Sequence, residues 1–354
     1  MSSGNQTMTD WVSTYIASAI QDFPRAPASE FSRQLYLYAC PIVFVTGIVG
    51  NFLSFCTMCT KQMRNRSYSL YLAALAVYDT TVLLFSAVVW VNVVVYYHKA
   101  ALVFKIQSRL ACMLAEYSFD VLYIMSSWTI VAVTFDRFVV IVFPIKGRQM
   151  SSTKMAAVLL TVIAIIALSV GSFHLVATEY DPLFGCYYTG ANRGIAWVRG
   201  ALMVTHIPFV TIAILNCVIV IVMHRSIRLT TNDMKSKRIR RATVTVLAVS
   251  TMFLFCVFPM GLLSSLVAIN PSMAPSFGTA FDIARLILSV NNCINFYVYV
   301  LTGQEIRLAV LELLKYWSRL LGCCWQQSRT SRRNSLNIYT TSTSFTASTS
   351  RVST

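Results

Sequence analysis

Long, nearly uncharged runs separated by short basic clusters dominate this chain of 354 residues. Five of the runs cover residues 34–60, 67–97, 110–145, 155–178 and 200–224, and a sixth covers residues 242–281. A helix that crosses a bilayer needs about 20 apolar residues, so each of the first five runs fits one crossing. The sixth is too long for one crossing, and Pro271 and Pro275 divide it into two helices. The pattern predicts seven transmembrane helices.

Composition and charge agree with a chain that sits in lipid. Hydrophobic residues make up 56% of the chain and charged residues 12%, whereas soluble domains carry about 25% charged residues. Most of the Lys and Arg lie between spans one and two, three and four, and five and six, and after span seven. The positive-inside rule therefore predicts an N-terminus outside and a C-terminus inside the cell. We expect no signal peptide and no nucleic-acid partner, because the basic residues form loop clusters and not one face.

Motifs in a fixed order resemble the rhodopsin-like (class A) G-protein-coupled receptors. They are "GIVGN", "LAALAVYD", "DRF", "FLFCVFP" and "NNCINFYVY", in spans one, two, three, six and seven. The resemblance implies an all-α membrane protein, a seven-transmembrane helix bundle with an amphipathic eighth helix. It also implies a plasma-membrane receptor without catalytic activity, whose partners are an extracellular ligand, a heterotrimeric G protein, receptor kinases and arrestin.

Four segments follow from the runs and the resemblance together. Residues 1–33 are predicted to be an extracellular N-terminus and residues 34–302 the seven-transmembrane domain. Residues 303–325 are predicted to be an amphipathic eighth helix with a palmitoylation site at Cys323 and Cys324, because "TGQEIRLAVLELL" at residues 302–314 resembles that helix. Residues 326–354 are rich in Ser and Thr and lack periodicity, which predicts a disordered cytoplasmic tail. Asn5 is a glycosylation site by its sequon, and Ser335 resembles a kinase site, although the tail could also be an inert linker.

Polar residues near the outer ends of the spans predict a ligand site. Glu116 and Asp120 stand one helical turn apart and share a face, and Asp120 lies about 25 Å from Arg137 along the helix. The predicted ligand-binding residues are Glu116, Asp120, Tyr123, His206, Asp282, Arg285, Trp90 and Phe281. Acids with an arginine suit a cationic or amidated peptide. Two alternatives stay open: an intrahelical pair of Asp282 with Arg285, and a packed His206 without ligand contact.

The resemblance also implies a switch at the inner end and a disulfide at the outer end. The switch residues would be Asp136, Arg137, Ile145, Asn295 and Tyr299, with Arg137 paired to Asp136 at rest and swinging away on activation. The alternative for Arg137 is an anchor at the inner membrane surface. Cys112 and Cys186 resemble the family disulfide, and two free thiols are the alternative.

Asp79 is the single charge in the second span. The resemblance implies a sodium and water pocket lined by Asn51, Asp79, Ser126, Asn291 and Asn295. Carboxylate, hydroxyl and amide oxygens suit a hard cation, so we expect no cofactor beyond an allosteric sodium ion and no catalytic metal. The alternative is a buried acid satisfied by neighbouring amides.

Several positions depart from the family pattern. Val257 replaces a tryptophan, Phe296 replaces a proline, Asn216 replaces a tyrosine, and "SKRIRRA" at the inner end of span six contains no acid. The "NFYVY" ending of span seven, the missing tryptophan of span six and "MRNRSYSLYLAALAVYD" resemble invertebrate neuropeptide receptors, including those for FMRFamide-like peptides. A receptor of the same fold for a non-peptide small molecule is the alternative. A transporter is disfavoured because no internal repeat is visible, and a membrane hydrolase because HExxH and GxSxG are missing.

Overall fold

The computed structural model describes residues 29–99, 108–181, 185–188, 191–227, 234–270, 273 and 276–319. Seven long helices in it are apolar enough to cross a membrane, which confirms the predicted spans. They are α1 Glu30–Met58, α2 Ser67–Lys99, α3 Arg109–Val142, α4 Thr153–Gly171, α5 Ile207–Ile227, α6 Met234–Ile269 and α7 Gly278–Thr302. A further helix, α8, covers residues 304–319.

Among the boundaries that differ from the sequence pattern, two lie at the outer end, where the first and fifth spans begin. Helix α1 begins at Glu30, because the Ser29 hydroxyl accepts a hydrogen bond from the backbone N–H of Ser32 at 3.2 Å and caps the helix there. The fifth span begins before residue 200: a helix at Ala191–Gly200 and a π-helical segment at Ala201–His206 lead directly into α5.

Short elements join the long helices. Helix Pro144–Met150 follows α3, and helix His174–Ala177 follows α4. The segment "ATEYDPLFGCYYTG" around Cys186 alternates aromatic and polar residues and contains Gly and Pro, a pattern that predicts a short hairpin. Strands β1 Thr178–Asp181 and β2 Gly185–Tyr188 pair antiparallel, which confirms it. We call the end of the bundle that carries this hairpin the outer end, following the predicted orientation.

The bundle has a buried centre and an apolar exterior. The central cluster is formed by Leu75, Ile130, Val131, Ile212, Phe253 and Val257, from helices α2, α3, α5 and α6. Val257, at the position of the family tryptophan, is 1% exposed. Outward-facing Phe255 and Ile214 are exposed. Large apolar side chains on both faces are typical of helices whose solvent is lipid.

Helix α1 packs closely against α2 and α7 at a glycine. A Cβ atom added at Gly47 would lie 2.5 Å from Leu83 Cδ1 and 3.0 Å from Cys293 Cβ. Small residues allow such close backbone approach between membrane helices. Helix α7 itself runs unbroken through Phe296, as the missing proline predicts.

Candidate functional site

The hairpin is tied to α3 at the outer end. Cys112 and Cys186 form a disulfide with their Cα atoms 5.5 Å apart, which confirms the predicted pair. Arg109 at the start of α3 also lies 2.9 Å from Glu179 on β1. The disulfide attaches β2 and the ion pair attaches β1 to the outer end of α3, and Tyr188 at the end of β2 reaches the side chains of that helix.

A cavity of about 470 Å³ opens beside the hairpin. Seven of the eight predicted ligand residues line it, namely Trp90, Glu116, Asp120, Tyr123, Phe281, Asp282 and Arg285. Arg199, His174 and Tyr188 line it as well, and the sequence pattern did not identify them. The cavity therefore contains a second arginine that the sequence pattern did not predict, and two of its three acids are paired with arginines.

Asp120 is engaged by a cation on the neighbouring span. Arg199 Nη1 donates to Asp120 Oδ2 at 2.6 Å, and the two side chains are 14% and 11% exposed. The Arg199 guanidinium also lies over the Phe173 ring, 5.3 Å from its centroid. In a buried ion pair of this kind the two charges largely neutralise each other, because each side chain has lost its water and interacts with the opposite charge instead.

A directed chain of hydrogen bonds connects this pair to Glu116. Arg199 Nη2 lies 2.5 Å from His174 Nε2, and because a guanidinium only donates, Nε2 accepts and Nδ1 carries the proton. His174 Nδ1 then donates to the Tyr188 phenolic oxygen at 2.6 Å, and Tyr188 donates to Glu116 Oε2 at 3.2 Å. Burial, and next the Glu116 carboxylate, raise the pKa of the Tyr188 phenol, so it keeps the proton that it donates.

Two other predicted ligand residues take part in packing contacts. Arg285 Nη1 lies 3.4 Å from Asp282 Oδ1, which is the intrahelical pair of the alternative, although both residues still line the cavity. His206 Nε2 lies 2.8 Å from Ser265 Oγ on α6. The described residues that line the cavity do not include His206, so its contacts are those of the packed alternative.

Asp79 is fully buried in the middle of the bundle. Ser126 Oγ donates to Asp79 Oδ1 and Asn295 Nδ2 donates to Asp79 Oδ2, both at 2.7 Å. Asn51 donates to the Asn292 carbonyl at 2.9 Å, and Asn51 Oδ1 is buried without a partner among the described residues. Asn291 is also buried on α7. The arrangement joins α2, α3 and α7 through one carboxylate.

The inner end holds Arg137 in a closed set of contacts. Its guanidinium is bonded to Asp136, and its Nη2 lies 3.0 Å from Ser67 Oγ and 3.1 Å from Ser151 Oγ. It also lies over the Tyr68 ring, 5.3 Å from the centroid. Within the described part of the chain, these partners belong to α2, α3 and the connection that precedes α4. The pairing expected at rest is therefore present.

The other predicted switch residues differ in their exposure. Ile145 is 81% exposed on the short helix after α3, whereas Tyr299 is buried, with a phenol that has no partner in the described part of the chain. Asn216, at the position of the family tyrosine, accepts from Ser250 Oγ on α6 at 2.9 Å. Asn5, Cys323, Cys324 and Ser335 lie outside the described residues.

Comparison with known proteins finds similarity to receptors. The family described as "7 transmembrane receptor (rhodopsin family)" matches residues 50–299. The chain is 24% identical over 291 residues to an FMRFamide receptor of Drosophila melanogaster, an alignment that covers 75% of this chain and 51% of that receptor. The chain thus spans about half the length of this curated relative.

Proposed function

Because this chain belongs to the rhodopsin family of seven-transmembrane receptors, we propose that it binds a cationic, amidated neuropeptide at the cell surface and activates heterotrimeric G proteins. The chain is a receptor and a multi-pass membrane protein, not an enzyme. The proposal places it in the plasma membrane with its N-terminus outside, where the ligand would reach the cavity.

The surroundings of the Glu116 carboxylate are the reason for proposing that the ligand is positively charged. Its hydrogen-bond donor is the uncharged Tyr188 phenol, whereas the other two acids of the cavity are paired with arginines. Among the described residues of the cavity, Glu116 is thus the acid whose charge no guanidinium offsets. A ligand amine or guanidinium would gain a charge-assisted hydrogen bond there without first breaking an ion pair.

The rest of the lining supports a peptide with apolar side chains and a polar backbone. Trp90, Phe119 and Phe281 line the cavity, and Phe119 stacks on Tyr123 with 5.9 Å between ring centroids. The Arg285 side chain is 32% exposed, and a guanidinium has five N–H donors. It can therefore donate to a peptide carbonyl or a terminal amide while it stays near Asp282.

A small non-peptide molecule is the second candidate ligand. The cavity of about 470 Å³ lies within the size range of drug-sized ligand pockets, about 300–1,000 Å³. The similarity to an FMRFamide receptor favours the peptide. A transported substrate is disfavoured, since the family to which the chain belongs consists of receptors.

The inner end supports a mechanism of population shift. In the proposed active state Arg137 leaves Asp136, Ser67 and Ser151, α6 moves outward, and the G protein enters the inner cleft. The exposed Ile145 offers an apolar contact for that partner. A ligand that binds the active state more tightly than the resting state raises the population of the active state, and the ratio of its two affinities sets the size of the shift.

The buried acid of α2 fits a sodium ion. Hard cations prefer carboxylate, hydroxyl and amide oxygens. The Asp79 carboxylate is bonded to the Ser126 hydroxyl, and Asn51 Oδ1 is buried without a partner among the described residues; both observations support a cation at this place. We propose that sodium binds at Asp79 and changes agonist affinity. In Asp79→Asn the affinity should no longer depend on sodium at constant ionic strength; a retained dependence would favour the alternative of a structural acid.

Modifications proposed for the terminal segments complete the receptor. They are glycosylation of Asn5, palmitoylation of Cys323 and Cys324, and phosphorylation of Ser335, the last of which would recruit arrestin. Phosphate would make the basic tail acidic. Mass spectrometry of the purified protein tests each site.

Two measurements together test the proposed function. Cells that express the chain with promiscuous G proteins are screened against a neuropeptide library, and each active peptide is then tested for nucleotide exchange on purified heterotrimeric G protein. The proposal expects exchange driven by a cationic, amidated peptide. Activity only with uncharged small molecules would replace the peptide with the second candidate, and no exchange with any ligand would refute G-protein coupling.

A further inference from the structure

Glu305, in the first turn of α8, bridges two arginines from different parts of the inner end. Arg66, which lies between α1 and α2, is bonded through Nη1 to Glu305 Oε2. Arg238, near the start of α6, donates through Nε to Glu305 Oε1 at 2.5 Å. Each carboxylate oxygen thus has its own guanidinium. Glu305 is 19% exposed, Arg66 17% and Arg238 57%, so the first pair is the shielded one.

The backbone beside this bridge packs directly on α6. A Cβ atom added at Gly303 would lie 3.1 Å from Thr245 Oγ1 on α6 and 2.8 Å from the Tyr299 carbonyl oxygen. The end of α7 therefore approaches α6 without room for a side chain. An outward movement of the inner end of α6 has to separate this contact and the Arg238–Glu305 pair together.

Arg137 does not perform this tethering in the resting arrangement. Its described contacts go to Asp136, Ser67, Ser151 and Tyr68, and none of these residues lies on α6. The inner end of α6 reads "SKRIRRA", which offers no carboxylate to Arg137. Among the residues that the structure describes, the ion pair that connects α6 to another helix is the one between Arg238 and Glu305.

We propose that Glu305 is the resting-state latch of α6: Arg66 holds the carboxylate in place, and Arg238 ties α6 to it. The latch rests on the proposed G-protein function, since its release is the movement that would admit the G protein. Breaking it favours the active state without any ligand. Because the two arginines engage different oxygens, loss of Arg238 frees α6 while Glu305 stays bonded to Arg66.

The test compares ligand-free nucleotide exchange at equal surface expression. Glu305→Gln and Arg238→Gln should each raise basal exchange roughly two- to fivefold, the shift expected when a partly exposed ion pair is lost. The matched control is Arg240→Gln, which removes the same charge from the same helix and should leave basal exchange unchanged. Reversing the sign at all three positions, with Arg66→Glu, Glu305→Arg and Arg238→Glu together, should return it toward the wild-type level.

Basal exchange that stays at the wild-type level in both single variants would overturn the latch. An equal rise in Arg240→Gln would also overturn it, since loss of positive charge alone would then explain the effect. Arg238→Gln carries the test if Glu305→Gln reaches the surface poorly. If even the wild type never stimulates exchange, the proposed function fails, and a second experiment tests the latch alone. A fluorophore attached to Lys237→Cys then reports the position of α6 without G protein. The latch expects the fluorescence to change in Glu305→Gln, and an unchanged fluorescence refutes it.

Discussion

Replacing Glu116 with glutamine isolates the charge that we propose the ligand recognises. Glutamine keeps the length of the side chain and can still accept a hydrogen bond from Tyr188, which donates to Glu116 at 3.2 Å. What disappears is the charge-assisted bond to the ligand cation, which contributes about 1.5–3 kcal/mol. We therefore expect Glu116→Gln to raise the agonist concentration for half-maximal response by about 10- to 150-fold, with surface display preserved.

Asp120→Asn should behave differently, although the two acids are one helical turn apart. Its carboxylate neutralises Arg199, and the two side chains are 11% and 14% exposed. Removing one partner of a buried pair costs about 3–5 kcal/mol. We therefore expect the main effect of Asp120→Asn to be poor surface display and not a loss of agonist potency. The double variant Asp120→Asn with Arg199→Gln, which removes both charges of this pair, should regain display.

The assay is a dose–response curve for G-protein activation by one peptide, with display measured by a surface tag. Glu30→Gln is the control, because Glu30 is an acid at the outer end of α1 that pairs with Arg33, is 64% exposed and is not among the residues that line the cavity. A half-maximal concentration for Glu116→Gln within twofold of the control would refute the assignment. So would equal loss of potency in Asp120→Asn at normal display, because the ligand cation would then bind both acids alike.

Three further outcomes follow from the contacts described above. Arg137→Ala should abolish G-protein activation while ligand binding and display persist; intact activation would remove it from the switch. Cys112→Ala should lower the stability by about 2–5 kcal/mol and reduce ligand binding, because β2 loses its attachment; a normal binding curve would contradict this. Gly47→Val should lower the melting temperature of the detergent-purified receptor, since its Cβ would lie 2.5 Å from Leu83 Cδ1 and overpacking costs about 1–3 kcal/mol; an unchanged melting curve would be evidence against that packing.

The fold was predictable because lipid imposes a strong constraint on the sequence. Within hydrocarbon, backbone groups must bond inside the segment, so uncharged runs of sufficient length have to be helices. The break near Pro271 and Pro275 was predictable because prolines interrupt a helix. In agreement, α6 ends at Ile269 and α7 begins at Gly278. The glycine and proline around "TEYDPLFGCYY" likewise predicted the hairpin.

The partners of Asp120, Glu116 and Glu305 were not predictable, because these contacts join elements that are distant in the sequence. The fifth apolar run starts at residue 200, which places Arg199 in an outer loop. The helix nevertheless extends back to Ala191, and Arg199 contacts Asp120. His174 lies in an apolar run without any periodic signal. Glu305 is separated from Arg66 by 239 positions, and nothing in either local sequence indicates the other.

The continuous course of α7 has a mechanical consequence. At 1.5 Å per residue, its 25 residues form a rod about 37 Å long, with Asp282 and Arg285 beside the outer cavity and Tyr299 toward the inner end. A proline hinge would let one half bend while the other stayed still. Without that hinge, α7 moves as one rigid body. A tilt that a bound ligand imposes on its outer end therefore also displaces its inner end.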